Sequence, residues 1–265
     1  NVQVNEINKG WKQNFWDGLK IIGGDIVFLC DQDDIWDLDK IKIMVDKMVC
    51  NSKIKLLVCG FESLYEEGNK QQVSNAIEKT MEESGEVIKF EFKPSFSYVL
   101  RPGCVYAVRP DLWEMADEFW CNAVPHDAIL WRLAALIDGL YFLDLRLIKW
   151  RRFNTSSSNP YSLEGKYQNK YTMMYDNVLN GVIRSDIACF KHLLKFADEN
   201  PRIFKRERHG IIKKCYEYQC ALEKCFVEKS IIQMIYIGFK YNRYFYSIRT
   251  YIKYLLLIVM VKIQK

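Results

Sequence analysis

The chain has 265 residues, of which 49% are hydrophobic, enough for a globular core. Its nine cysteines form no Cys-x-x-Cys pair, which favours reduced thiols in a cytosolic protein over a disulfide framework or a metal site. The formal net charge is +5, but residues 201–265 carry 14 Lys and Arg against 4 Asp and Glu, whereas residues 1–200 are acidic overall.

The first elements alternate between helical and strand patterns. Residues 11–22 place apolar side chains at helical spacing, and 25–30 are a continuous apolar run typical of a buried strand. A second helical pattern covers 38–49, and a second apolar run covers 54–61. This succession predicts a βαβ unit with a parallel sheet, and therefore an α/β core.

Alternating strand and helix patterns continue to about residue 150 and are followed by a region that is helical throughout. The sequence predicts further strands and helices, in the order strand 87–92, strand 103–108, helix 111–120, helix 126–137 and strand 140–150. Everything beyond about residue 165 has a helical pattern. We therefore predict an α/β domain over residues 1–160 and a helical region with a basic, aromatic tail over 161–265.

Three acids follow the first apolar run, in the sequence DQDD. Asp31 and Asp33 lie on one face if the strand geometry continues, and Asp34 is adjacent. Neighbouring carboxylates repel each other unless a cation lies between them, and Mg²⁺ or Mn²⁺ at the carboxyl end of a strand suits substrate phosphates. The alternative is that the acids are solvated and cap the next helix.

These residues resemble glycosyltransferase family 2, especially its bacterial rhamnosyltransferase-like members. The shared features are an apolar strand followed by DQDD, IW and a helix, together with the upstream positions Asn8, Gly10, Asn14, Gly24 and Asp25. The resemblance implies a GT-A fold, which is a Rossmann-like mixed sheet flanked by helices, and a nucleotide-sugar donor. It implies that Asp31 and Asp33 hold the metal, and that these two, Asp34 and Asn14 hold the donor.

A second acid opens a predicted helix after Pro125. Asp127 is favoured at a helix N-terminus by the helix dipole, so it is interpreted as a cap when taken alone. The resemblance instead implies that Asp127 is the catalytic base, which takes a proton from the acceptor hydroxyl and inverts the anomeric configuration. It also suggests Gly103, His126 and Trp131 as substrate contacts, although His126 is equally consistent with packing.

The segment from Trp150 to Thr155 resembles the closing motif of the family, Tyr-Arg-x-His followed by Asn and Ser or Thr. Phe153 stands where that motif has its His. Arg151 or Arg152 is then the candidate contact to the donor diphosphate, because a guanidinium suits phosphate oxygens. The alternative is that both are surface arginines.

The family's opening strand and its Asp-Asp-Gly-Ser stretch have no counterpart in this sequence, so we expect the N-terminal portion of the family domain to be missing. Two alternatives to an active transferase are open. One is a truncated or inactive transferase that acts as a membrane-surface binding subunit. The other is a haloacid-dehalogenase-type phosphatase with an aspartate nucleophile, although Ile35 stands where that motif has Thr or Val.

The tail, residues 231–265, mixes aliphatic, aromatic and basic residues. Its longest uncharged run is too short for a membrane span, but it suits an interfacial helix on an anionic surface. The alternative is a helix packed on the body of the protein. We thus predict a cytoplasmic enzyme, peripheral on the inner face of the cell membrane, that uses a glycan or lipid-linked glycan acceptor and binds no nucleic acid.

Overall fold

A computed structural model of the chain describes residues 4–65, 81–152 and 169–263, which form two compact units. The first unit contains the described residues 4–62, 81–90 and 99–149. The second contains 63–65, 91–98, 150–152 and 169–263. The predicted boundary at residue 160 lies outside the described residues. Among the described residues, the first unit ends at Lys149 and the second continues from Trp150. Residues 91–98 belong with the C-terminal helices and not with the α/β domain.

One sheet of six strands, counted over the described residues, organises the first unit. The strands are β1 (Val27–Phe28), β2 (Ile35–Trp36), β3 (Leu56–Tyr65), β4 (Val87–Lys89), β5 (Tyr106–Val108) and β6 (Leu140–Arg152). Their order is β1-β5-β3-β6-β2, and β4 also pairs with β6.

The direction of the strands corrects the predicted parallel pair. β5 lies between β1 and β3 and is antiparallel to both, with Val108 opposite Val27 on one side and Leu56 on the other. β1 and β3 therefore point the same way without touching. The predicted succession of strand, helix and strand is present as β1, α2 and β3. However, β1 and β3 each form their backbone hydrogen bonds with β5, which comes much later in the chain.

Four helices accompany the sheet in the described part of the first unit, namely α1 (Trp11–Ile21), α2 (Lys40–Cys50), α3 (Pro110–Asp117) and α4 (His126–Leu136). α1 buries Trp16 and Leu19, and the Trp16 indole donates a hydrogen bond of 2.7 Å to Asp117. Ten of the eleven residues of α4 are buried. α4 is therefore the central helix of this unit, and its first turn is held firmly.

The second unit is helical, as the pattern beyond residue 165 predicted. Its helices are α5 (Lys170–Asp176), α6 (Arg184–Glu199), α7 (Arg206–Glu228), α8 (Ile231–Lys240) and α9 (Ile248–Ile263), with a π-helical segment Asn177–Ile183 joining α5 to α6. Ser230 caps α8 by accepting a hydrogen bond from the Gln233 amide. The predicted fold class, a mixed sheet flanked by helices and followed by a helical C-terminal region, is confirmed.

Residues 91–98 pack into the second unit through aromatic side chains. The Phe96 ring meets Phe190 of α6 edge-on at 6.2 Å, and the Arg208 guanidinium of α7 lies 3.2 Å from the centre of the Phe92 ring. These aromatic and cation–π contacts explain why residues 91–98 belong to the second unit and not to the first. None of the helices in the described ranges is long and apolar enough to cross a membrane.

Candidate functional site

The acidic loop lies between two strand ends. Leu29 extends the pairing of β1 by donating its amide to the Tyr106 carbonyl, and the loop then returns to the sheet at β2, which pairs with β6. The chain turns at Gln32 and Asp33. Because both ends of the loop are fixed by backbone hydrogen bonds, its carboxylates have little freedom to move apart.

Two of these acids meet a cysteine from the segment that precedes β5. Ligand atoms of Asp31, Asp34 and Cys104 lie within 4.8 Å of one another, and we call these three residues the acid–thiol cluster. Asp33 is not part of the cluster, and the predicted metal pair Asp31 and Asp33 stays a prediction. The alternation on which that pair rested ends with the strand at Leu29, and the turn at Asp33 brings side chains three apart together.

The electrostatics of Asp31 show how crowded the acids are. Burial, and then the negative charges of Asp34, Asp33 and Asp127, raise the pKa of Asp31 from 3.8 to about 6. Burial and the charges of Asp34 and Asp31 raise the pKa of Cys104 well above its usual range. A divalent cation would relieve this repulsion, and two carboxylates are suitable ligands for Mg²⁺ or Mn²⁺. The residues therefore fit the cation that the sequence predicted.

Lys40 lies beside the acid–thiol cluster, a position that the sequence did not predict. Its side chain is fully buried, its ammonium donates a hydrogen bond of 2.9 Å to the Cys104 carbonyl, and it lies 3.5 Å from the centre of the Trp36 ring. Burial lowers the pKa of Lys40. The only signal in the sequence was the Trp that follows the acids, because a cation–π partner can hold a lysine close to carboxylates.

Gly103 connects the acid–thiol cluster to the first turn of α4. A Cβ atom at Gly103 would lie 3.1 Å from the Cβ of Asp127 and 3.2 Å from Nε2 of His126. The next residue, Cys104, contributes to the cluster. Asp127 itself is half-buried, and its Oδ1 accepts a hydrogen bond of 2.8 Å from the Ala128 amide. The structure therefore brings Asp31, Asp34, Gly103, His126 and Asp127 together, and their functional roles stay predictions.

His126 is packed between aromatic rings of α1. Its ring stacks on Phe15 at 4.3 Å and meets Trp11 edge-on at 6.1 Å. His126 is buried, and this burial lowers its pKa, so the ring is neutral near pH 7. The ring is thus held by aromatic packing next to Asp127, and the contacts from Phe15 and Trp11 were not foreseen.

Three other predicted residues lie elsewhere. Trp131 is fully buried and packs against Tyr106 and Phe142 in the core, so the prediction that it contacts substrate is corrected to a packing role.

Asn14 is exposed on α1, where its side chain accepts a hydrogen bond from Asn5. Arg151 is half-buried in the second unit. The roles of Asn14 and Arg151 in donor binding stay predictions, and Phe153 lies outside the described residues.

The contact at Gly103 leads to a prediction about Gly103→Ala. The added methyl group would push His126 and Asp127 by a few tenths of an ångström, because the spacing of 3.1–3.2 Å is shorter than normal van der Waals contact. With Asp127 as the catalytic base that the sequence predicts, turnover should fall roughly tenfold, since small displacements of a reacting group are costly. Steady-state kinetics measures the effect, and the melting temperature reports whether the fold is kept.

Gly18→Ala is the matched control, because Gly18 lies in α1 of the same unit and has open space around it. Alanine in a helix is expected to stabilise the protein by about 0.4–1 kcal/mol and to leave turnover unchanged. If both variants keep full turnover, Gly103 does not position α4 for catalysis.

The chain was compared with known proteins. No protein-family model and no curated protein matches it. Solved structures of residues 1–349 of S. aureus TarS are similar to it. The complex with UDP-GlcNAc has 12% identity and a TM-score of 0.44, with 97% of this chain and 73% of that chain covered. The complex with UDP has 12% identity and a TM-score of 0.40 over 93% and 69%.

A third structure of the same TarS segment has 13% identity and a TM-score of 0.41, and covers 84% of this chain and 72% of that chain. A likeness at these identities and TM-scores does not assign a function to this chain.

Proposed function

We propose that this chain belongs to an inverting glycosyltransferase that moves a sugar from a nucleotide-sugar donor to a glycan. The observation that carries the proposal is the convergence of the acid–thiol cluster with Asp127. One set of carboxylates suits a diphosphate-bound cation, and a separate carboxylate next to them suits a general base. Gly103 and Cys104, adjacent in sequence, hold the two sets next to each other.

Asp31 and Asp34 are the residues that would hold Mg²⁺ or Mn²⁺. When bound, the cation would offset the negative charge of the donor diphosphate. Lys40 keeps the Cys104 backbone in place and adds a buried positive charge beside the acids. The site therefore favours an anionic leaving group, as a nucleoside diphosphate is.

Asp127 takes the proton from the acceptor hydroxyl. As that proton leaves, the hydroxyl oxygen forms a bond to the anomeric carbon of the sugar, and the bond from this carbon to the diphosphate oxygen breaks. The electron pair of that bond departs with the nucleoside diphosphate. Attack opposite the leaving group inverts the configuration, and a single base suffices for this route.

The proposal is tested by incubating the full-length protein with a panel of nucleotide-sugars that includes UDP-GlcNAc and dTDP-rhamnose. Release of nucleoside diphosphate that depends on a glycan or lipid-linked glycan acceptor supports it, and the product anomer is assigned by NMR. Release of inorganic phosphate from an aryl phosphate would support the phosphatase alternative. Donor binding without turnover of any donor would support the non-catalytic subunit.

We also propose that the second unit docks on an anionic lipid surface at the inner face of the cell membrane. α8 and α9 each bury one apolar face and expose another, although exposed helix faces are normally polar. The exposed apolar residues are Ile232, Ile235, Tyr236 and Phe239 of α8, and Ile248, Ile252, Leu256 and Ile263 of α9. Gly238 allows close packing of the two helices, because a Cβ there would meet the Tyr251 ring at 2.6 Å.

The charge of this region supports an anionic lipid surface as the partner of these exposed apolar residues. Residues 231–263 contain no Asp or Glu and five basic residues, Lys240, Arg243, Arg249, Lys253 and Lys262. Apolar side chains that enter the acyl boundary, with cations that reach lipid phosphates, are the pattern of an interfacial helix. A lipid-linked acceptor on the cytoplasmic leaflet would then lie near the enzyme.

The double substitution Ile232→Ser and Phe239→Ser is expected to reduce vesicle binding. Both side chains are 82% exposed in the protein, so they pack little in the free state. Each contributes about 1.5 kcal/mol or more when buried in lipid, so the partition coefficient should fall about a hundredfold. Sedimentation with phosphatidylglycerol-containing vesicles measures it.

Val227→Ser is the matched control, since Val227 is an exposed apolar residue of α7 outside this surface. It should bind vesicles as the unchanged protein does. Equal binding of the double variant, or equal binding to neutral phosphatidylcholine vesicles, would contradict the lipid-docking proposal.

A further inference from the structure

The cation site contains a thiol that the proposed reaction does not require. Two carboxylates and a substrate phosphate are sufficient for Mg²⁺, yet Cys104 places its sulfur within 4.8 Å of ligand oxygens of both aspartates. We propose that Cys104 is the third protein ligand of this site, and that it makes the site prefer thiophilic divalent cations such as Zn²⁺ and Co²⁺ to Mg²⁺. This inference deepens the cation site of the proposed function and rests on it.

Cys104 is held in position from several sides. Its side chain is buried, and Lys40 fixes its carbonyl. The residue lies in a short 3-10 turn, Gly103–Val105, whose end runs directly into the fully buried strand β5. A thiol with so little freedom loses little entropy when it binds a cation, which favours a preorganised ligand.

The other cysteines near the site do not share this arrangement. Cys30 is exposed, and its thiol donates to the Asp31 carbonyl. Cys59 is buried, and its thiol donates to the Val105 carbonyl. Within the described residues, Cys104 is the one thiol grouped with the acids. The inference differs from the sequence-based expectation that the cysteines are reduced thiols without a metal.

The chemistry of the ligands sets the selectivity. Carboxylates are ligands of Mg²⁺, Mn²⁺ and Zn²⁺, whereas a thiolate adds affinity for Zn²⁺ and Co²⁺ but little for Mg²⁺. On binding, the S–H bond breaks, its proton passes to the solvent, and the sulfur forms a bond to the cation without oxidation or reduction.

Cobalt is the probe for the proposed bond. Titration of the cation-free protein with Co²⁺ should produce the near-ultraviolet absorption of a sulfur-to-cobalt charge transfer. Cys104→Ser should abolish this band, and it should weaken Zn²⁺ binding about tenfold or more while changing Mg²⁺ binding by less than about threefold. Cys30→Ser, the nearby control, should keep both the band and the Zn²⁺ affinity.

The inference is overturned if Co²⁺ binds without the band, or if the band survives in Cys104→Ser. Should that variant fail to fold, X-ray absorption at the zinc edge of the unchanged protein with bound Zn²⁺ decides the question, since a sulfur ligand gives a Zn–S distance of about 2.3 Å. A first shell of oxygen and nitrogen ligands alone again overturns it. The readouts do not use turnover, so a band in a protein that transfers no sugar would refute the proposed function alone.

Discussion

Asp127→Asn is expected to lower nucleotide-sugar turnover by about 10²–10⁴-fold, the loss typical of removing a positioned general base. Asparagine keeps the size of the side chain and the oxygen that accepts the Ala128 amide, so the first turn of α4 should be unchanged. What it loses is the ability to take a proton. Because the proposed reaction uses Asp127 on the acceptor side, we expect donor affinity to change by less than about threefold.

Asp111→Asn is the matched control for this substitution. Asp111 also lies in the first turn of a helix in the same unit, where its carboxylate pairs with Lys55 on the surface. It should keep full turnover. If Asp127→Asn also keeps full turnover, Asp127 has no part in the reaction. A fall in donor affinity that equals the fall in turnover would place Asp127 in donor binding instead.

The secondary structure was largely readable from the sequence, whereas the partners of each strand were not. Periodicity identified α1, α2, β3 and β6, because each buries one face or one continuous run. It could not show that β5 lies between β1 and β3, since that pairing depends on contacts between residues far apart in the chain. The assignment of 91–98 to the helical unit has the same origin.

The site shows a similar limit at the level of single residues. The motifs singled out Asp31 and Asp127, whose roles stay predictions. The proximity of Asp31 to Asp34 was not foreseen, because a turn at Asp33 replaces the strand geometry. The positions of Cys104 and Lys40 beside the acids were not predicted, because they depend on contacts between residues that are far apart in the sequence. Trp131 was assigned to substrate although ten of the eleven residues of its helix are buried, and an apolar helix favours packing for a tryptophan.

The cation site has the second large expected effect. At a Mn²⁺ concentration one hundred times its dissociation constant, the free energy of unfolding should rise by about 2.7 kcal/mol. Asp31→Asn and Asp34→Asn should lose most of this gain, because each removes a charged ligand of the cluster. Asp33→Asn should keep most of it, since Asp33 lies outside the cluster. Denaturant unfolding with and without Mn²⁺ measures the difference.

The pH dependence of the same measurement follows from Asp31. Its pKa in the folded protein is raised to about 6 from 3.8, so without a cation Asp31 favours folding at pH below about 4. This contribution is lost as the pH rises to about 6, where the buried carboxylate ionises. Mn²⁺ binds only the ionised form, so the gain in unfolding free energy from Mn²⁺ should be larger at pH 7 than at pH 5.

The cation-free variants test whether these acids exist for binding rather than for folding. At pH 7, Asp31→Asn removes a carboxylate that is repelled by its neighbours, so the cation-free variant should be more stable than the unchanged protein while it fails to respond to Mn²⁺. A site that is costly to the fold and gains stability only with a cation is a binding site. If Asp33→Asn instead lost the Mn²⁺ response while Asp34→Asn kept it, the strand alternation would be the better guide, and the cluster would not be the cation site.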